Sequence, residues 1–325
     1  MKRIYLDQSK WIDLARSAQG RPDGAPFADA LLLACEGVKA GVVSFPLSSA
    51  HYMETHHIAN AARRRRLASL MQELSQFHTI ATQRQLIPHE IDVALQARFG
   101  FPARVRPSRP FGIGVGHAFN RDAFEYRVPD GAGMDPDLAR VFERAVGPLI
   151  EFELLAGPTD EMAAKMKDYR PYAHMRIPAK YADGMIDLQA RRREDGWHKG
   201  ERSKRVAYAQ TLIDYQEPLL EALRRAGLAW EELEALGRDR LTDFVGSIPL
   251  MHVDAELERL HHGSGRWEAH DLNDINAITT AIVYCDVVVT ERQWVHYAKR
   301  ARLDETYGTL LLTNAADLVV PLAAV

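Results

Sequence analysis

The sequence predicts an α/β protein with a central parallel sheet, whose two parts lie at the two ends of the chain and are separated by a long, mainly helical insertion. Three observations point there. Short apolar runs ended by an acid, a proline or a threonine occur near both ends, and helical patterns alternate with them. Between about residues 62 and 265 the β signal is weak and apolar residues recur at helical spacing.

Taken in order, Arg3-Ile4-Tyr5-Leu6 reads as a first strand closed by Asp7, and Ser9 is placed to cap a helix through Trp11, Ile12 and Leu14. A helix over Ala28–Val38 leads to Gly41-Val42-Val43-Ser44-Phe45, a buried strand stopped by Pro46. Ser48 then caps a helix running past Glu54. Near the other end, Asp271–Cys285 reads as a helix, Val287-Val288-Val289 as a buried strand, Trp294–Arg302 as a helix and Thr309–Leu312 as a strand. In between, Leu138, Val141, Phe142, Ala145, Leu149 and Phe152 keep helical spacing, as do Val206–Leu223 and Trp230–Leu236. Gly and Pro clusters at 100–116 and 128–136 predict irregular loops. Within the first, Gly112-Ile113-Gly114-Val115-Gly116 follows no strand pattern and lacks the order of a phosphate loop, so it reads as a flexible connection. The expected division is 1–61 and 266–325 for the α/β core, with 62–265 inserted.

Composition narrows the function classes. Of 325 residues, 46% are hydrophobic and 26% charged, which excludes a disordered or collagen-like chain. Lys and Arg total 41 against 44 for Asp and Glu, a net charge of −3, so a nucleic-acid function must rest on local basic patches. Cys35 and Cys285 form no CxxC, which excludes a cysteine-ligated zinc site and a disulfide framework. No apolar run approaches the roughly 18 residues of a membrane span. The N-terminus meets Asp7 too early for a signal sequence, so the expectation is a cytoplasmic protein without a membrane partner.

The acids carry the chemistry. Asp7 closes the first strand, Glu54 lies on the helix after the second, and Glu291 follows Thr290 at the end of the Val287–Val289 strand. Carboxyl ends of parallel strands are where open α/β sheets place their sites. On the Asp271–Cys285 helix, with Asp274 at zero and about 100° per residue, Ile275, Ala277, Ile278, Ala281 and Ile282 fall within about −60° to +100°. Asp271 and Asp274 lie inside this apolar arc. A buried carboxylate needs a hydrogen-bond donor, a cation or a metal. An N-cap at Asp271 and a macrodipole role for Asp274 are the plainer alternatives. Several carboxylates on one sheet edge suit a hard divalent cation and phosphodiester hydrolysis.

These segments resemble the PIN-domain nucleases, a family that includes many toxin ribonucleases of toxin–antitoxin pairs. The resemblance covers Lys2–Leu14, Val42–Glu54 and Asp271–Leu318, and rests on Ile4-Tyr5-Leu6-Asp7, on Glu54, and above all on Asp274-Ile275-Asn276-Ala277-Ile278-Thr279-Thr280-Ala281 leading into Val287-Val288-Val289-Thr290. It implies a Rossmann-like sheet and cleavage of RNA with Mg²⁺ or Mn²⁺, leaving a 5′-phosphate and a 3′-hydroxyl. It implies Asp7, Glu54 and Asp274 as catalytic acids and metal ligands, with Asp271 and Glu291 as further ligands. The family's fourth acidic position falls on Arg292 here, and Glu291 stands one residue earlier in its place. Compact members lack the long insertion. Asp7-Gln8-Ser9 lacks the second Asp of an aspartyl-phosphate phosphatase, which removes that α/β competitor.

Around the ligands, Ser9, His51 and Thr290 are expected to support the acids. Arg63-Arg64-Arg65-Arg66 is the densest basic run and a candidate for phosphate contacts, with Arg191-Arg192-Arg193 and Lys199–Arg205 as a second. The functional expectation is a metal-dependent endoribonuclease with an RNA substrate, regulated by an antitoxin or another protein and capable of homo-oligomerisation. A weakly catalytic RNA- or protein-binding module and a DNA-directed nuclease of the same fold are the alternatives.

Overall fold

The computed structural model describes residues 1–100, 108–122, 127–128, 133–167, 176–197, 199–264 and 266–324. It is a mixed α/β protein in which many helices surround a four-stranded parallel sheet. The strands are β1 (Lys2–Leu6), β2 (Val43–Ser44), β5 (Val287–Val289) and β6 (Leu310–Leu312), in the spatial order β2-β1-β5-β6. Two further strands, β3 (His78–Ile80) and β4 (Phe111–Ile113), pair antiparallel. They adjoin the sheet through a single parallel bridge between Leu47 and Thr79.

Alternation along the central strands explains why both faces are covered. Ile4 and Leu6 stand opposite Val287 and Val289, and all four enter the core formed with Trp11, Leu14, Ala30, Ala34 and Met71. Tyr5 and Val288 point to the other face, where Ile275, Ile278, Ala281, Ile282 and Trp294 pack on them. A third cluster, containing Leu86, Ile91, Leu95, Leu223 and Phe244, belongs to the insertion.

The connectivity creates a switch point. From β1 the chain runs to β2 on one side, whereas β5 returns on the other side of β1. The carboxyl ends of β1 and β5 therefore diverge in their onward connections, which is where an open parallel sheet leaves a crevice. Asp7 and Thr290 are the residues that follow these two strands.

Several expectations need correction. The division at 61/62 cuts through one core: the Ala61–Ser75 helix buries Leu67, Ala68, Leu70, Met71 and Leu74 in the same cluster as Ile4. The insertion is mainly helical, and β3 and β4 are the two strands among its described residues. The Gly112–Gly116 segment is not a flexible connection. It closes β4 and opens the Gly114–Ala118 helix, whose Val115 N–H is accepted by Glu151 Oε2 at 2.9 Å. Residues 101–107 and 129–132 of the predicted loops lie outside the described residues. The apolar run at 138–152 does form a helix, Pro136–Ala156, yet Leu138, Val141 and Leu149 are exposed. Among the described residues no helix is long and apolar enough to cross a membrane.

Each basic run turns one arginine into the protein, Arg64 in the first and Arg192 in the second, while most of the other basic residues stay exposed. Arg64 is 4% exposed. Its guanidinium donates to the carbonyls of Ile58 at 2.7 Å, Ala156 and Pro158. Together with His56 Nε2, which donates to Leu154 O at 2.9 Å, it satisfies the open carbonyls at the C-terminus of the Pro136–Ala156 helix. The chain turns there at Gly157, with φ +70° and ψ 172°, a conformation essentially reserved for glycine. Arg65 forms a two-pronged ion pair with Glu153 and lies over the Phe152 ring. Arg63 and Arg66 alone of the four are exposed and keep an outward role. In the second run, Arg192 is buried in the charge field of Glu258 and Asp214.

Arg64→Ala removes three bonds and leaves buried carbonyls unpaired, so it should destabilise the fold by about 3 kcal/mol. Arg63→Ala should stay within about 0.5 kcal/mol of wild type. Equal urea midpoints for the two variants would contradict the capping role of Arg64.

Candidate metal centre

Four separate segments deliver acids to one place. Asp7 is the N-cap residue of the Gln8–Ala18 helix, with φ −63° and ψ 154°, and it caps through its backbone: Asp7 O accepts from the N–H of Lys10 and Trp11. Its side chain makes no cap bond and instead accepts from Thr290 Oγ1 at 3.1 Å. Helix entry therefore falls two residues earlier than predicted. Ser9 is not the cap but sits inside the first turn, its Oγ buried without a protein partner.

Glu54 projects from the Ser49–His56 helix and Asp274 from the first turn of the Asp271–Tyr284 helix. Together with Tyr5, Asp7, Gln8, Ala50, His51, Ala277 and Ile278 they line a tight pocket of about 10 Å³, roughly one water-sized sphere. Glu291, the N-cap residue of the Arg292–Arg300 helix, is exposed and lines a neighbouring opening with Lys10 and Asp13, near enough to act on Asp7, Glu54 and Asp274.

The electrostatics are those of like charges deprived of water. Burial pushes Asp274 up to about 9, reinforced by Asp7, Glu54, Glu291 and Asp271. Burial raises Glu54 to about 8, with Asp7 and Glu291 adding to it. Asp7 is raised by burial too, a shift opposed by the Thr290 hydrogen bond and by Lys10, and increased by Glu291. Among the described residues, no lysine or arginine is one of the main influences on Glu54 or Asp274.

Asp271 is 3% exposed and held from outside the helix. Its Oδ2 accepts from the Glu268 N–H at 2.6 Å and lies 3.2 Å from His261 Nε2. His261 Nδ1 is 3.3 Å from the Gln293 amide nitrogen, a donor, which leaves Nε2 as the protonated nitrogen that donates to Asp271. The imidazole packs against Trp267, Trp294 and Tyr297. The helix cap is His270, not Asp271.

His51 supports the site structurally. Its Nδ1 accepts from the Ser48 N–H at 2.8 Å and its Nε2 donates to Leu6 O at 2.7 Å. Both nitrogens are occupied, and burial lowers the ring to about 4, so it is a neutral strut between the Ser49–His56 helix and the end of β1. It has no free atom for a ligand or a proton.

The residues fit a cation. The pocket collects three carboxylates, none of them ion-paired with a lysine or arginine among the described residues, and Gln8, which lines it, has a buried Oε1 with no partner. Among the described residues, one trio brings three ligand atoms within 4.8 Å of one another: His270, Asp271 and Asp274. Asp7 and Glu54 are outside this trio and line the pocket with Asp274. Gln8, His261 and His270 were missed in the sequence. For His270 a signal existed, an imidazole directly before two first-turn acids.

A cleft of about 850 Å³ shares the wall residues Ala50 and Ala277 with the pocket. Ser48, Met53, Asn273 and Asn276 line its core side; Arg84, Phe119, Arg121 and Tyr215 line its insertion side. No protein-family model, curated protein or solved structure matches this chain.

Glu54 and Asp274 hold their protons more tightly in the folded protein than in the unfolded chain. Their contribution to stability is thus full below the ordinary carboxylate range near pH 4 and is lost as the pH rises through about 8 and about 9. In chelator, Tm should fall between about pH 5 and about pH 9, and less steeply for Asp274→Asn. Identical slopes for variant and wild type would refute the electrostatic account.

Proposed function

We propose that the chain is a PIN-like, divalent-cation-dependent endoribonuclease. The observation that carries this reading is the meeting of Asp7, Glu54 and Asp274, from three distant segments, around one tight pocket, with Glu291 near enough to act on all three. Its position at the divergence of β1 and β5, and the acid-to-acid order along the chain, agree with the resemblance noted in the sequence.

Asp7, Glu54 and Asp274 would hold Mg²⁺ or Mn²⁺, with Asp271 and Glu291 contributing at the edge. When bound, such an ion polarises a phosphoryl oxygen and eases ionisation of an attacking water. The remaining work falls to the chain. Thr290 orients the Asp7 carboxylate, and His51 fixes the strand end from which Asp7 projects. His261 orients Asp271. The cleft admits an RNA strand, with Arg84 and Arg121 meeting phosphates and Phe119 offering a ring for a base. Arg63 and Arg66 extend the contact on the outer surface. A regulatory protein such as an antitoxin would act by covering this cleft.

RNA incubated with protein and Mn²⁺ should be cut, and chelator should stop it. Asp7→Asn and Asp274→Asn should each lower the rate by about 100-fold or more with the fold intact by circular dichroism. Thr290→Val should cost about tenfold and Glu291→Gln should cause a partial loss. Tight RNA binding without cleavage of any RNA would favour a binding module instead, and cleavage confined to DNA would reassign the substrate.

Separately, Arg84→Ala with Arg121→Ala should weaken RNA binding and reduce the slope of log affinity against log salt by about 1.5. An unchanged slope would place the strand elsewhere.

A further inference from the structure

The first turn of the Asp271–Tyr284 helix holds a combination that an acid-only centre does not require. His270 ends the preceding turn, and one ligand atom each from His270, Asp271 and Asp274 falls within 4.8 Å of the others. Donors at that separation can share one ion at ordinary ligand distances of about 2.0–2.4 Å. His270 Nε2 lies 3.9 Å from Asp271 Oδ1, the oxygen left over when His261 and the Glu268 N–H take Oδ2.

Plainer readings account for parts of this arrangement. Acids in a first helical turn are favoured by the macrodipole. An exposed imidazole beside Glu268 and Asp271 is an ordinary surface contact of little energy. Neither explains why Asp271 is buried and locked from behind by a histidine with a fixed tautomer, the outer-shell pattern that holds ligating groups in place. Nor do they explain Gln8 Oε1, which is more than nine-tenths buried and unpartnered in the pocket that Asp274 lines.

We infer that His270 is a metal ligand, completing with Asp271 and Asp274 a site of one nitrogen and two carboxylates that selects a first-row transition ion such as Mn²⁺ over Mg²⁺. Mg²⁺ takes oxygen donors and sheds water reluctantly, whereas an imidazole nitrogen is a normal donor to the transition ions. The inference rests on the metal-centre reading of the acid pocket. It goes further in assigning a nitrogen donor, and hence a metal preference, to that centre.

The test uses the full chain without RNA. Mn²⁺ is titrated and followed by the loss of its free-ion electron paramagnetic resonance signal, and the bound ion is examined by electron spin echo modulation for a nitrogen coupling. Wild type should show an imidazole ¹⁴N coupling. His270→Ala, an exposed position expected to leave the Tm unchanged, should lose the coupling and weaken Mn²⁺ binding by about tenfold, with Mg²⁺ affinity by calorimetry little altered. Bound Mn²⁺ without a nitrogen coupling, or a coupling that survives in His270→Ala, overturns the assignment while leaving an acid-only metal centre standing. Absence of any Mn²⁺ binding overturns both the assignment and the metal-centre reading.

Discussion

Buried carboxylates that face one another are the constraint on which the rest of this structure turns. Two like charges about 5 Å apart repel by about 3 kcal/mol at an effective dielectric of about 20, before the loss of water is counted. Asp7, Glu54 and Asp274 are assembled against that cost, and without a cation they relieve it by holding protons above the ordinary carboxylate range, Glu54 and Asp274 far above it. Such an arrangement persists only if the backbone around it is over-determined. The scaffold supplies that. β1 and β5 pair in register up to the residues before Asp7 and Thr290, and the ladder continues as the Asp7 N–H donates to Val289 O at 2.9 Å. His51 ties the Glu54 helix to the carbonyl of Leu6, the last residue of β1.

The elements around the acids were legible because each carries a local rule. An apolar run closed by Asp7, a strand stopped at Pro46 and a valine triplet before Thr290 all became strands of the sheet. The wheel of the Asp271–Tyr284 helix placed Asp274 among Ile275, Ile278, Ala281 and Ile282, and those residues are buried. What failed has physical reasons too. His78-Thr79-Ile80 is too short for a periodic signal, and β4 hides in a glycine-rich stretch where pairing with β3, not propensity, makes the strand. Ser9 lost the cap because Asp7 already holds the extended geometry one residue before the helix.

The arginine run shows a signal that was present but outweighed by composition. Ala61, Arg64, Leu67, Ala68 and Met71 follow the spacing of one helical face, and that face is the buried one. Four consecutive arginines look like one patch in sequence, yet successive residues on a helix point about 100° apart. Arg64 was therefore bound inward, to carbonyls that needed donors, while Arg63 and Arg66 remained outside. His261 had no such signal. Its partner Asp271 is 10 residues away, and only the packing of the Pro249–Ser264 helix on the acid-bearing helix brings them together.

That packing bears on what the insertion is for. The Asp271–Tyr284 helix is fastened to insertion residues at three levels along its length. His261 holds Asp271 at its start, the Gln83 amide reaches Asn276 O at 3.4 Å near its middle, and Tyr284 donates to Glu90 Oε1 at its end. A rotation of this helix by one residue, about 100°, would carry Asp274 out of the pocket. The sheet fixes Asp7 but contacts only one face of the helix, so it does not by itself prevent such a rotation. The register of Asp274 against Asp7 is therefore set jointly by the core and the insertion. In this chain the inserted helices form one wall of the cleft and also part of the framework of the acid site.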